Sequence, residues 1–318
     1  MSLPAPVDLG LAALVLGLAG WVITTSATYR AAEGFVAYGL VLALVWVRLG
    51  SVDVALTEAA LGSGLTGLLL LRAAARLPAD DPAETTRPGP GVRVVAAVLC
   101  TAVAGALAAV VLLLPEPAPS LAPAVAANLS ATGVGNPVTG VLLAFRAVDT
   151  LGESIVLVLA LVGLWSLAPD DAWGGRPGFL RGPAAASPLR FLAQVLPPFG
   201  ILVGIHLLWI GADHPGGKFQ GATVLAAMWV LVLVAGLRQP PRVTSRPMRG
   251  LAVFGSLVFV GIGTAGAWLA GAFLAYPEGL AKPLILSIET ALMLSVAVIL
   301  GLLLAGPPEP DDAAGVRS

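Results

Sequence analysis

Nine apolar runs follow one another along this chain, at roughly 8–27, 34–49, 52–71, 93–114, 141–167, 190–212, 219–237, 250–273 and 283–305. A helix needs about 20 residues to cross a ~30 Å hydrocarbon core. The runs are too long and too uniformly apolar for barrel strands, which alternate. The pattern predicts an all-α integral membrane protein of about nine transmembrane helices. Polar residues gather in two stretches, "PADDPAETTRPGPG" and "APDDAWGGRPGFLRGPAAASP", whose Pro, Gly and charge mark linkers. They divide the chain into a three-helix module 1–77, a linker 78–92, a two-helix module 93–167, a linker 168–189, a four-helix module 190–306 and a tail 307–318.

Composition agrees. Hydrophobic residues make up 58% of the 318, charged ones 11%, and the mean hydropathy is +0.94; a soluble domain carries about 25% charge. Placing the N-terminus outside puts 13 of the 17 Lys and Arg in inner loops, so N-out, C-in is the predicted orientation. No Lys or Arg precedes the first run, which is therefore read as a retained span rather than a signal peptide.

Several chemistries are excluded. A net charge of −1 with no basic face does not suit nucleic acid. The single cysteine, Cys100, lies in an apolar run as a packing residue, and His206 and His214 form no His-x-x-x-His pair, so no metal site is expected. "GIGTAG" fits a dinucleotide-binding spacing but falls inside a span, where it serves helix packing. No nucleophile, metal or cofactor motif appears, so the chain reads as no enzyme in itself and as cofactor-free.

The informative residues are the charges that ought not to be there. In "FRAVDTLGES", Arg146, Asp149 and Glu153 fall within about 60° on a helix face at the start of the fifth run. An ionisable residue at a helix centre costs roughly 2.5–3.5 kcal/mol on insertion scales, so such residues usually face a bundle interior or a hydrated path. Arg146 and Asp149 suit either the interface or that path; Glu153, a turn deeper, suits a proton or cation relay. In the third run Asp53 either favours the helix dipole or joins the path, and Glu58 lies further in. Behind Glu58, Gly62, Gly64 and Gly67 lower helix propensity and suggest a π-bulge. Pro215, Gly216 and Gly217 bring Lys218 and Gln220 to the top of the seventh run. Lys218 there either snorkels to the interface or partners a membrane carboxylate. Glu289, in the ninth run, has no charged neighbour on its own helix and needs a partner elsewhere or a proton. His206 is either a hydrogen-bonded core residue or a relay.

"DVALTEAALGSGLTG" followed by "FRAVDTLGESIVLVLALVGLW" resembles the C-terminal modules of the large A subunit of Mrp-type multisubunit Na+/H+ antiporters, and the small D and E subunits of membrane-bound hydrogenases. "GADHPGGKFQGATVLAA" and "SIETALML" are similar to the B subunit of such antiporters. The resemblance implies a multi-pass subunit in a prokaryotic cell membrane, assembled with other antiporter subunits, among them a large ion-pumping subunit, or with hydrogenase-type redox subunits. It also implies ion passage at Asp149, Glu153 and Glu58, with transient Na+ at Asp149 and Glu153. Lys218 stands where related sequences commonly have a small residue. A non-conducting scaffold is the competing reading, which the many Gly and Ala of the spans would suit.

Overall fold

The computed structural model describes residues 6–77, 89–115, 117–178 and 187–309. Most of the linker 78–92 and of the tail 307–318 lies outside these residues. Nine apolar helices carry the fold among the described residues: α1 (Pro6–Thr24), α2 (Thr28–Arg48), α3 (Val52–Ala74), α4 (Pro90–Leu113), α5 (Ala147–Ser166), α6 (Pro188–Ile210), α7 (Lys218–Val234), α8 (Arg246–Leu269) and α9 (Ala281–Ala305). Eight are long and apolar enough to cross a membrane; α7, with 17 residues, is shorter. At 1.5 Å per residue α7 covers about 26 Å. The protein is a multi-pass α-helical membrane protein.

Helix α9 is the hub. Its Ile285, Ile288, Leu292, Ile299 and Leu300 are buried where α5, α7 and α8 pack around it. Ser295 of α9 stitches it to α8: its Oγ accepts from the Gly255 N–H at 2.7 Å and donates to the Leu251 carbonyl at 2.7 Å. Helix α3 reaches this core through Leu61 and Leu65, which pack on the cluster containing Ala222 and Ala226 of α7. Gly263 and Gly266 of the "GIGTAG" stretch seat α8 against Phe273–Ala275, so the pattern does serve packing. Helix α4 is exposed along its whole length, as a helix bathed in lipid tails can be.

Two of the spans depart from regular α-helix, both beside carboxylates. Residues Glu58–Thr66 of α3 form a π-helix, as the glycines behind Glu58 suggested, and Thr66 Oγ1 donates to the Leu61 carbonyl at 2.9 Å. The fifth run, expected as one helix over 141–167, is broken instead. A helical turn Pro137–Gly140 leads into a π-turn Val141–Phe145, and the chain kinks at Arg146 (φ −133°, ψ 42°) before α5 starts. A break frees backbone carbonyls, and in an apolar medium each must find a donor. Thr150 Oγ1 takes the Leu142 carbonyl at 2.7 Å, and the Tyr276 hydroxyl takes that of Leu143 at 2.6 Å. Tyr276→Phe keeps the ring but orphans the Leu143 carbonyl. The expected cost is about 1–3 kcal/mol, seen as a lower melting temperature of the detergent-solubilised chain.

Candidate functional site

The starts of α3, α5 and α7 and the N-terminal half of α9 converge on a cavity of about 240 Å³ lined by Asp53, Glu153, Lys218, Gln220, Glu289 and Thr139, among others. The approach to α7 sets its geometry. Gly216 (φ 155°) and Gly217 (φ 134°) lie in the left-handed range that favours glycine. The turn they make is pinned by the Gly217 N–H donating to the Leu207 carbonyl at 2.9 Å, and it tucks the first turn of α7 inward. The Gly216 N–H donates to Asp53 Oδ1 at 3.0 Å, and Gln220 Nε2 donates to Thr57 Oγ1 at 2.9 Å, tying α7 to α3.

Inside the cavity the charges are few and close. Lys218 is 3% exposed, so it does not snorkel to the interface. Its Nζ lies 4.0 Å from Glu153 Oε2 and 4.5 Å from the centre of the Phe219 ring. Glu289 is 4% exposed. Its carboxylate faces the Lys218 backbone N–H and feels the Lys218 charge. The Oε2 atoms of Glu289 and of Glu153 are both buried and neither has a hydrogen-bond partner. Glu153 as a whole keeps a 43% exposed side chain, so it spans from the surface to Lys218. Buried, unsatisfied carboxylate oxygens beside one ammonium can accept protons or a cation at little structural change.

The other expected residues lie elsewhere. Arg146 and Asp149 pair with each other at 2.7 Å, with side chains 70% and 50% exposed, and neither lines the cavity. Asp149 and Glu153 therefore do not share one enclosed pocket. The Glu58 carboxylate packs against Gly39 and Gly62, outside the cavity lining. His206 is exposed on α6.

Asn136 is a residue the sequence reading missed. It is 4% exposed, and its Nδ2 lies 3.2 Å from the Gly211 carbonyl, 3.0 Å from that of His214 and 3.4 Å from both Asp53 carboxylate oxygens. Its Oδ1 caps the Val138 N–H at 2.9 Å. One amide thus joins the segment before α5 to the α6–α7 turn and to α3. An Asn-Pro dipeptide is a sequence signal for a helix start, though it does not give this role. Asn136→Ala is expected to cost at least about 1–3 kcal/mol through the orphaned groups. The melting temperature of the purified chain would fall accordingly.

Two groups in the loops between spans, Asp213 and Tyr276, are fixed by hydrogen bonds. Lys282 Nζ donates to both Asp213 carboxylate oxygens at 2.8 Å, and the Gly135 N–H donates to Asp213 Oδ1 at 3.0 Å. The Lys282 hydrogen bond is the chief cause holding the Asp213 carboxyl below its ordinary range. Tyr276 is pushed up to about 12, first by burial and then by the Glu289 charge, so its hydroxyl stays protonated as the donor to Leu143.

Comparison with known proteins places these elements. Residues 13–79 match MbhD, a family of MBH subunits, and residues 188–306 match the domain related to the MnhB subunit of the Na+/H+ antiporter. The chain thus joins an MbhD-like segment and an MnhB-related domain in one polypeptide. An uncharacterized protein of Methanocaldococcus jannaschii is 29% identical over 156 residues, covering 44% of this chain and 60% of that protein. The fold is similar to a chain of the Mrp complex from Dietzia sp. DQ12-45-1b, with a TM-score of 0.76 and 22% identity over 98% of this chain. This chain spans 36% of that longer one. A chain of the membrane-bound sulfane sulfur reductase, an archaeal respiratory membrane complex, matches at a TM-score of 0.53 and 24% identity, covering 66% of this chain and 95% of that one.

Proposed function

We propose that this chain is a membrane subunit of a multisubunit monovalent cation/proton antiporter complex in a prokaryotic cell membrane, oriented N-out and C-in. It assembles with a large ion-pumping subunit and contributes the Asp53–Glu153–Lys218–Glu289 cavity to the ion or proton path. It acts as a transport subunit without catalysis of its own, and its three modules fix the stoichiometry of parts that could be separate chains. One observation carries the reading: two carboxylates, each with a buried, unpartnered oxygen, and a buried lysine sit where the MnhB-related domain meets the first and second modules. Arg146, Asp149, Glu58 and His206 are then peripheral members, open to contact with neighbouring subunits or lipid.

A second reading has its own support. The MbhD match and the fold likeness to a respiratory complex favour an antiporter module of a redox-driven pump. Deleting the chain and restoring it in everted membrane vesicles tests the proposal. Loss of Na+- or K+-dependent ΔpH on deletion, with recovery on restoration, supports it; unchanged ΔpH would reject it. Metal-cluster subunits co-purifying with the tagged chain would select the redox-linked form.

A further inference from the structure

We propose that Lys218 is a tethered counter-cation: its ammonium holds the place of a monovalent metal ion between Glu153 and Glu289, so this cavity passes protons and excludes Na+ and K+. The inference rests on reading the cavity as part of an ion path and adds which ion it takes. Four ionisable side chains line the cavity, namely Asp53, Glu153, Lys218 and Glu289. Asp53 is already committed to the Gly216 N–H and to Asn136, and the nearby Tyr276 hydroxyl is committed to the Leu143 carbonyl. That leaves two carboxylates with buried, unpartnered oxygens and one ammonium, 4.0 Å from Glu153 Oε2 and within electrostatic reach of Glu289.

A metal ion arriving there would meet the same oxygens that Lys218 attracts. It would also have to sit beside a fixed like charge in a medium that screens poorly. The lysine cannot leave readily: it is 3% exposed, and its backbone is held at the end of the two-glycine turn. A proton has no such conflict. With Glu153 protonated, Lys218 gives one proton to the Glu289 carboxylate and becomes a neutral amine. The amine then takes the Glu153 proton, leaving a Glu153 carboxylate, an ammonium and a Glu289 carboxylic acid. One proton has moved from Glu153 to Glu289, and the net charge of the three groups is unchanged. The 4.0 Å gap between Nζ and Glu153 Oε2 exceeds hydrogen-bond length, so a water or a small side-chain shift completes that transfer.

The test is Na+-induced infrared difference spectroscopy on the full chain in lipid nanodiscs, with choline as the control cation. The wild type is expected to show no Na+-dependent carboxylate bands. Lys218→Met, checked for folding by melting, is expected to gain a saturable Na+-dependent carboxylate response that the wild type lacks. Adding Glu289→Gln should abolish that response. Na+-dependent bands in the wild type that vanish in Glu289→Gln would overturn the proposal, and this arm needs no Lys218 variant. A folded Lys218→Met with no gain in Na+ response would overturn it too. Failure of the underlying transport reading shows separately, as ΔpH indifferent to deletion of the chain.

Discussion

Glu289→Leu is expected to lower the stability of the chain by about 3–5 kcal/mol, the range for removing one partner of a buried ionic interaction. Lys218 is 3% exposed, and the charges of Glu289 and Glu153 both act on it. Without Glu289 the ammonium keeps only a carboxylate 4.0 Å away whose side chain is 43% exposed. The pair itself need not add stability, because desolvating two charges offsets much of their attraction. Glu289→Leu combined with Lys218→Met should therefore recover most of the loss, since the unpaired charge has gone. Melting of the three variants in detergent reads this directly. A single variant as stable as the wild type would show that Glu289 does not hold Lys218.

The same two residues show where sequence legibility stops. Glu289 stood out as a lone charge inside a span, and its need for a partner on another helix was readable. The partner was not. Lys218 sits at a helix end, the usual place for a lysine to reach the interface, and only the inward tuck imposed by Gly216 and Gly217 buries it. That tuck depends on α6, through the Leu207 carbonyl, and on α3, through Asp53.

Local chemistry was legible where the sequence itself weakens a helix. The glycines behind Glu58 announced the π-helix at Glu58–Thr66. The break at Arg146 was hidden because the groups that permit it lie far off: Thr150 is eight residues from the carbonyl it binds, and Tyr276 is 133 residues from its own. Periodicity also placed Arg146, Asp149 and Glu153 on one helix face. Asp149 and Glu153 do stay one turn apart in α5, yet Arg146 and Asp149 pair on the exposed surface while the Glu153 Oε2 is buried. Asn136 was missed because polar residues between spans are ordinary, and nothing local tells a solvated amide from a buried one.

The second large effect is on transport. Glu153 is the one cavity carboxylate with both a half-exposed side chain and a buried oxygen facing Lys218, so every proton entering from the surface side is expected to pass it. Glu153→Gln keeps shape and removes titration, and exchange should fall at least about tenfold, equivalent to ~1.4 kcal/mol. Assembly should survive, because a side chain this exposed contributes little to packing and its interaction with Lys218 is long. Asp149→Asn, which alters only the exposed Arg146 pair, is expected to reduce exchange far less.

The central measurement is therefore cation-dependent ΔpH in everted vesicles carrying the assembled complex, wild type against Glu153→Gln, with assembly followed on the same membranes by native gel. Exchange lost while the complex remains intact is the predicted result. Exchange at the wild-type rate in an intact Glu153→Gln complex would contradict it and leave the chain as a scaffold for a path that runs elsewhere.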